Sequence, residues 1–490
     1  MSDAWLGIDL GTQSARVVVI DETGRRLALL AASLTSTRDG DRHEQDPAEW
    51  LRVVEGLLRR AAAQLPKGTT VQALAVSGTS GTIVPLDDRG HPVGPAAMYD
   101  DRRGASYLAE VQRQGDQVWE RLGYRMQATW GLPKLLRMRD AHGSGVVFGH
   151  QPDVVTSRLI GRRAASDLSS ALKTGADLDG IAWPADVFDA LGLPLDAITD
   201  LVASGAVIGA VTREAAEATG LPEGCAVVAG STDGCAAQFA AGALAPGSWN
   251  SVLGTTLVLK GVAVERRPDP QGVVYAHRAP FGVGWLPGGA SNTGARSISA
   301  LMPHADLERL TAAMAARDDV PVAYPLVGVG ERFPFVSGTA HAVWPGGRVP
   351  DDESDLFRCI AFGIAFLERY AMEMLASLGY DTAGPVHLTG GGARNPWWNA
   401  LRAAVLDRPC VLPAETEGAA GMALLAAAAA DPPAPSGGGD DALRATAGRL
   451  LGPAREVGPL QIDRGALDDA YASFTGLIAP WLVDTAEQQR

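Results

Sequence analysis

The sequence predicts an α/β protein of two lobes, and three observations carry that expectation. The same short device occurs twice, about half the chain apart: Asp9-Leu-Gly11-Thr12-Gln13-Ser14 between apolar segments, and Leu253-Gly254-Thr255-Thr256 between apolar segments. Each copy is followed by alternating helix-like and strand-like patterns, which indicates layers of helix on sheet. The chain, at 490 residues, is too long for one ordinary core. No shorter repeat accounts for the pattern, so the duplication is at domain scale.

The elements follow in order. Residues 5–34 read as three strands, broken by Gly11-Thr12 and by the Asp21-Glu22-Thr23-Gly24 turn. Asp46-Pro47 opens a helix with Trp50, Leu51, Val54, Leu57 and Leu58 at helical spacing. Residues 71–76 form a buried strand ending in the loop Ser77-Gly78-Thr79-Ser80-Gly81-Thr82, and residues 83–86 form another. After a short helix at 213–219 and a strand at 226–230, Ser231-Thr232-Asp233-Gly234 opens a small-residue helix over 235–242. The second half continues with a long amphipathic helix (356–378), a strand from Val386 into Gly390-Gly391-Gly392, a helix (397–406) and a strand (410–412). The alanine-rich run 419–430 reads as a buried helix, too short to span a bilayer. The Pro/Gly-rich stretch 431–441 predicts a mobile loop, and 466–482 a last helix.

Bulk properties narrow the function. A 46% apolar and 20% charged composition is that of a soluble globular chain. The net charge of −14 argues against nucleic-acid partners, which require Lys and Arg against phosphates. No membrane partner is expected. The four cysteines lack C-x-x-C spacing, which argues for a reduced, cytoplasmic setting. The first strand starts close to Met1, leaving no room for a targeting segment. The histidines are isolated from Cys and Asp at metal-ligand spacings.

Glycine in a tight turn lets backbone N–H groups converge on an anion, and the Thr12, Ser14, Thr255 and Thr256 hydroxyls add donors. Two such cradles suit one polyphosphate held between two lobes. Asp9, beside the first cradle, can hold a hydrated metal or a substrate hydroxyl, or stabilise its own turn. Asp233, at a strand-to-helix junction, can take a proton from an attacking hydroxyl, or cap its helix. Asp100-Asp101-Arg102-Arg103 is either a hydroxyl-reading cluster or a solvated charge run. Neither G-x-x-x-x-G-K-[ST] nor G-x-G-x-x-G occurs, so a bound nucleotide would use neither device.

These residues resemble the FGGY carbohydrate kinases of the actin/hexokinase/Hsp70-like superfamily, over nearly the whole chain. Asp9 to Ser14 with Arg16 looks like the family's first phosphate segment, and Gly230-Ser231-Thr232-Asp233-Gly234 like the segment of its catalytic aspartate. Leu253 to Leu257 is similar to the second phosphate segment, and Leu388 to Asn395 to the adenosine segment. The resemblance implies two RNase-H-like lobes (1–243 and 244–430) around a central cleft, with 442–490 packing back on the first lobe. It implies transfer of the γ-phosphoryl group from ATP, with Mg²⁺, to a small-molecule sugar, by a monomer or homodimer. On it, Asp233 is the catalytic base and Asp9 with Asp233 holds the metal. Sugar contacts fall to Asp9, Ser77, Thr79, Ser80, Asp100, Asp101, Arg102 and Asp233. ATP contacts fall to Gly11, Thr12, Gln13, Ser14, Arg16, Gly254, Thr255, Thr256, Gly391, Gly392 and Asn395.

Within the family, Ser77 to Gly81 lacks the Met-His-Gly element of xylulose kinases. Together with Met98 to Arg102 and Ser166 to Gly175, it resembles the plant and cyanobacterial D-ribulose kinases, although Ser77 stands where that subgroup carries an acidic residue. The expected substrate is D-ribulose, with D-xylulose as the alternative. An actin- or Hsp70-like ATP switch, or a sugar-sensing pseudokinase, is the reading from another class.

Overall fold

The protein is described by a computed structural model over residues 2–143, 145–282, 284–314, 317–430 and 439–487. It divides into two units. The first comprises Met1–Leu244, His277–Leu286 and Glu415–Gly452, and the second Ala245–Ala276, Pro287–Ala414 and Pro453–Arg490.

The first unit is built on β1 (Ser2–Leu10), β2 (Ser14–Asp21), β3 (Arg26–Ser33), β4 (Thr69–Gly78), β5 (Val207–Ala210) and β6 (Ala226–Val228). Its sheet runs β3-β2-β1-β4-β6-β5. From Ala4 onward every residue of β1 is buried, as a central strand covered on both faces requires. One cover is α1 (Pro47–Gln64), whose N-cap Asp46 accepts the Ala48 N–H at 2.9 Å and whose buried face is Trp50, Val54, Leu57, Leu58 and Ala61. Past β6 the chain enters α2 (Asp233–Ala240).

The second unit repeats this plan. Its sheet is formed by β7 (Trp249–Leu253), β8 (Leu257–Gly261), β9 (Tyr275–Arg278), β10 (Trp285–Ala290), β11 (Val386–Thr389), β12 (Cys410–Leu412) and β13 (Arg455–Glu456), in the order β9-β10-β8-β7-β11-β12-β13, the parts of β9 and β10 within His277–Leu286 being counted in the first unit. Apart from the extra edge strand β9, the two sheets share one sequence of pairings. The hairpin β1–β2 or β7–β8 is antiparallel, as is its next neighbour β3 or β10. On the other side come two parallel pairs, β1–β4–β6 or β7–β11–β12, and a final antiparallel strand. The core of this unit centres on α3 (Glu353–Ser377) and α4 (Pro396–Leu406), which share a fully buried ion pair: Arg402 donates to both Glu368 oxygens at 2.7 and 2.8 Å.

The two units divide the chain differently from the expected lobes at two places, and a third expectation falls largely outside the described residues. The alanine-rich helix Gly418–Ala430, expected in the second lobe, packs on β1 and α2 of the first unit. Missing side chains allow this approach: a Cβ on Gly7 would lie 1.7 Å from the Ala419 carbonyl oxygen, and one on Gly421 would lie 2.0 Å from that of Ala236. Of the expected 442–490 segment, only residues to Gly452 join the first unit. The helix α5 (Arg464–Glu487) instead places Phe474, Ile478 and Trp481 among Tyr324, Phe335 and Phe366 of the second. Of the expected mobile loop 431–441, residues 431–438 lie outside the described residues, and the rest begins the helix Gly439–Leu450.

Among the described residues, no helix is long and apolar enough to cross a membrane. The four cysteines are buried and unbridged.

Candidate active site

In the first unit the site grows from the ends of parallel neighbours. Asp9 lies near the end of β1, in register with Ser77 of β4 and with Arg16 of β2. The Ser77 hydroxyl donates to Asp9 Oδ1 at 2.8 Å. Arg16 reaches Glu417 at 3.6 Å, just before the alanine-rich helix. A Cβ on Gly418 would sit 3.2 Å from Asp9 Oδ2, so the helix start closes tightly on this carboxylate. Burial, followed by the charge of Asp233, pushes the Asp9 carboxyl up to about 6; the Ser77 hydrogen bond and Arg16 pull the other way.

Asp233 is exposed at the first position of α2, where the helix dipole favours an ionised carboxylate. The capping reading of Asp233 is corrected: the N-cap position belongs to Thr232, and Asp233 Oδ1 accepts from its neighbour Gly234 at 2.7 Å, in the first turn.

Each Gly-Thr turn is tied from behind. In the first, the Gly11 N–H closes on the Ser14 carbonyl at 3.0 Å, Gln45 Nε2 donates to the Thr12 carbonyl at 2.6 Å, and the Leu34 N–H donates to that of Gln13 at 2.9 Å. In the second, the Gly254 N–H closes on the Thr256 carbonyl at 3.0 Å, while Ala295 and Arg296 N–H groups hold the carbonyls of Gly254 and Thr255 at 2.9 and 3.2 Å. The two glycine N–H groups are thus spent within their turns. Because a trans peptide points its C=O and N–H in opposite directions, anchoring Thr12, Gly254 and Thr255 carbonyls turns the N–H groups of Gln13, Thr255 and Thr256 away from the anchors. These N–H groups lie on the side of each turn opposite its anchors, with the partly exposed Thr12, Ser14, Thr255 and Thr256 hydroxyls beside them.

Behind the second turn lies a residue with no signal in the sequence. Glu331 is buried and accepts from Ser291 Oγ (2.8 Å), Asn292 N–H (2.6 Å), Thr293 Oγ1 (3.0 Å), Tyr324 Oη (2.8 Å) and Arg332 N–H (2.9 Å). It organises the 291–295 loop that anchors the Gly254 turn.

The second unit also contains a cavity of ≈ 870 Å³, lined by Ile298, Met302, Thr311, Gly391, Gly392 and Asn395 among others. Gly390, at φ +81°, packs its α-carbon against the end of β7, and Gly391 has open space on its Cβ side. Asn395 lines the wall, with Oδ1 capping α4 on the Trp398 N–H at 3.0 Å and Nδ2 donating to Thr311 at 2.7 Å. It shapes the cavity.

The remaining expected sugar contacts divide. Thr79 is tied to Gln151 Oε1 through its N–H (2.9 Å) and hydroxyl (2.8 Å), while the buried Ser80 hydroxyl has no partner among the described residues. Asp101 is fully buried and accepts from the His43 N–H and the Arg103 guanidinium. These bonds outweigh burial and hold its carboxyl below the usual range. Asp100 pairs with His43 Nδ1 and with Arg38 at 3.0 Å. Arg102 points into solvent near Asp41. Beneath this cluster the fully buried Lys134 donates to the Met98 carbonyl at 2.7 Å, and burial pushes its ammonium down to about 7. The Asp100–Arg103 stretch is therefore an ion-paired network docked on the 37–45 hairpin.

Residues 4–240 match the N-terminal domain, and residues 251–430 the C-terminal domain, of the FGGY family of carbohydrate kinases. The chain belongs to the FGGY carbohydrate kinases. This FGGY chain is 24% identical over 440 residues to the xylulose kinase of Bacillus subtilis (strain 168), covering 86% of this chain and 87% of that one. A solved xylulose-type kinase ("xyloylose kinase") from Brucella ovis matches with TM-score 0.87 at 23% identity, over 97% of this chain and 99% of that one. A gluconate kinase from Lactobacillus acidophilus matches with the same TM-score, 0.87, at 17% identity, over 99% and 100%. Equal likeness to chains named for different sugars means that the fold, the two-lobe actin/hexokinase-like class, does not specify the substrate. The protein is a sugar kinase, and FGGY kinases use ATP and a divalent metal.

The residues present fit such a metal. Among the described residues no three His, Cys, Asp or Glu side chains converge on one ion. A cation held largely by phosphate oxygens and water needs only one or two carboxylates. Asp9, raised in pKa by burial and then by a neighbouring carboxylate, is a group that a cation would relieve.

Proposed function

We propose that this kinase transfers the γ-phosphoryl group of ATP to a hydroxyl of a pentulose, with D-ribulose as the substrate. The observation that carries the chemistry is the pair formed by buried Asp9 and exposed Asp233, on adjoining elements of one unit and close enough that the charge of one raises the pKa of the other. In this reading Asp233 accepts the proton of the attacking hydroxyl as the oxygen approaches phosphorus. Asp9, with Asp233, faces the metal ion, whose contribution is to offset charge on the transferring phosphate. The Gln13, Thr255 and Thr256 N–H groups, with the Thr12 and Ser14 hydroxyls, bind phosphate oxygens. Arg16, half-exposed and paired with Glu417, adds positive charge beside the first turn. The cavity at Gly391 and Gly392 takes the adenosine. Positioning and electrostatics supply most of the rate in such transfers.

The D-ribulose assignment rests on Ser77 to Gly81 and Met98 to Arg102, which lack the xylulose-kinase pattern. D-Xylulose is the second reading, favoured by the name of the Bacillus relative. Sugar-dependent ADP release, measured with D-ribulose, D-xylulose, L-ribulose and glycerol, tests the choice. A kcat/KM preference for D-ribulose is expected, and preference for any other sugar overturns it. Asp233→Ala should keep ATP binding and lose sugar-dependent turnover; retained turnover removes Asp233 as the base.

A further inference from the structure

One buried cluster in the first unit is not used by the chemistry above. Ser169 Oγ lies 3.0 Å from Thr232 Oγ1, 3.0 Å from His277 Nδ1 and 3.6 Å from Cys235 Sγ, and it accepts the Thr232 N–H at 3.2 Å. Ser169, Thr232, Cys235 and His277 are all buried. Thr232 is the residue before Asp233.

The bonding around Thr232 is unusual for its position. A threonine at an N-cap ordinarily turns its hydroxyl onto an N–H of the first turn. Here no such bond forms, and the hydroxyl faces Ser169 and, at 3.5 Å, Cys235 Sγ. Ser169 therefore grips Thr232 at both its backbone N–H and its side chain. That grip sets the φ and ψ of Thr232 (−73° and 157°), which aim the next Cα–Cβ bond, that of Asp233. A serine hydroxyl has one proton and two lone pairs. With one lone pair taken by the Thr232 N–H, the others serve Thr232 Oγ1 and His277 Nδ1, so His277 completes the coordination of Ser169.

His277 reaches this place through an excursion of the chain. Residues 245–276 belong to the second unit, and His277–Leu286 then enter the first before the chain returns. The excursion is firmly seated. The Phe281 N–H donates to the Ser204 carbonyl at 2.6 Å, and the Phe281 ring lies where a Cβ on Gly205 would meet it at 2.6 Å. Phe281 adopts φ 62°, a left-handed conformation disfavoured for a non-glycine residue. The Arg278 guanidinium lies 4.7 Å over the Trp285 ring. On the opposite side, Ser169 sits in a short helical turn capped by Asp167, which accepts the Ser170 N–H at 2.9 Å.

We propose that His277 and Ser169 are positioning residues for the kinase reaction, holding Thr232 so that the Asp233 carboxylate meets the acceptor hydroxyl in line. This inference rests on the reading of Asp233 as the base. It assigns His277 a role in the first unit although the residue follows a segment of the second.

The test compares Ser169→Ala, His277→Ala and His277→Asn with the unaltered enzyme in steady-state sugar phosphorylation, alongside Asp233→Ala. Ser169→Ala and His277→Ala should lower kcat about 10- to 100-fold, with KM for sugar and ATP changed less than about threefold. Thermal midpoints should stay close to that of the unaltered enzyme. His277→Asn, whose amide can replace the Nδ1 contact, should recover most of the lost kcat. Wild-type kcat in Ser169→Ala and His277→Ala overturns the inference, as does a fall in kcat matched by lost stability and unrescued by asparagine. Ser169→Ala, which removes one oxygen, decides the matter if His277→Ala does not fold. Turnover retained by Asp233→Ala would defeat the base assignment and this inference together. An inactive Asp233→Ala beside fully active Ser169→Ala and His277→Ala defeats this inference alone.

Discussion

Replacing Asp9 by asparagine should make the first unit more stable while destroying activity, and the size of the gain follows from the site. The Asp9 carboxyl is raised from 3.8 to about 6 by burial and by the charge of Asp233. That shift of about two units corresponds to ~3 kcal/mol of unfavourable ionisation in the folded state. The unfolded chain releases the Asp9 proton near pH 4 and the folded chain near pH 6, so between these values the folded state holds more protons. Stability attributable to this group therefore falls as pH rises through that window, and the full cost is present above about pH 6. Below about pH 4 both states are protonated and the cost vanishes.

Asparagine keeps the shape and the acceptor for the Ser77 hydroxyl but cannot ionise. Asp9→Asn should match the parent at pH 4 and exceed it by about 2–3 kcal/mol at pH 8. Because two units need not unfold together, the readout is the transition of the first unit, followed by hydrogen exchange of β1 and β4 amides in denaturant. The same variant should lose sugar-dependent ADP release. A variant no more stable at pH 8, or one whose advantage is equal at pH 4 and pH 8, would refute the account of Asp9 as a strained, ionised carboxylate.

The other predictions concern the scaffold and the nucleotide side. Gly7→Ala places a Cβ 1.7 Å from the Ala419 carbonyl oxygen and should destabilise the first unit by about 3 kcal/mol, read by thermal unfolding. Arg402→Met strands a buried Glu368 carboxylate and should cost about 3–5 kcal/mol of second-unit stability, while Arg402→Met with Glu368→Leu should recover most of it. The Cβ of Gly391→Val meets no atom within 4 Å, so folding should be unchanged while ATP KM rises about tenfold, equivalent to about 1.4 kcal/mol.

What could be read before folding depended on whether a feature is local in the chain. The hairpins at Gly11 and Gly254 are local: strand, glycine and hydroxyls are adjacent, and both form as expected with matching pairings on either side. The start of α1 was equally legible, since Asp46-Pro47 carries its own cap and first turn. Residues that act across the fold gave no such signal. Glu331 lies some seventy-five residues from the turn it supports, and His277 reaches Ser169 over a separation of 108 residues. The alanine-rich helix was recognised as buried, but its destination depended on Gly7 and Gly421, whose meaning appears only when backbones meet. Asp101 misled for a related reason: a carboxylate beside arginines looks the same in sequence whether it faces a ligand or is consumed by Arg103.

That last contrast separates structural from reactive acids in this chain. Glu331 collects five donors, Asp101 is gripped by a guanidinium and two backbone N–H groups, and Glu368 is locked to Arg402. Each buried charge is matched where it stands, as burial requires. Asp9 is equally enclosed but has one neutral donor, Ser77, together with a second carboxylate near enough to raise its pKa. Asp9, with a neutral hydrogen-bond donor and a second carboxylate nearby, would be relieved by a cation delivered from outside. A charge delivered with the nucleotide meets that need only in the loaded enzyme. Adding Mg²⁺ and ATP should therefore stabilise the parent more than Asp9→Asn, so that the advantage of the variant at pH 8 shrinks or reverses; an unchanged gap would show that Asp9 does not face the metal.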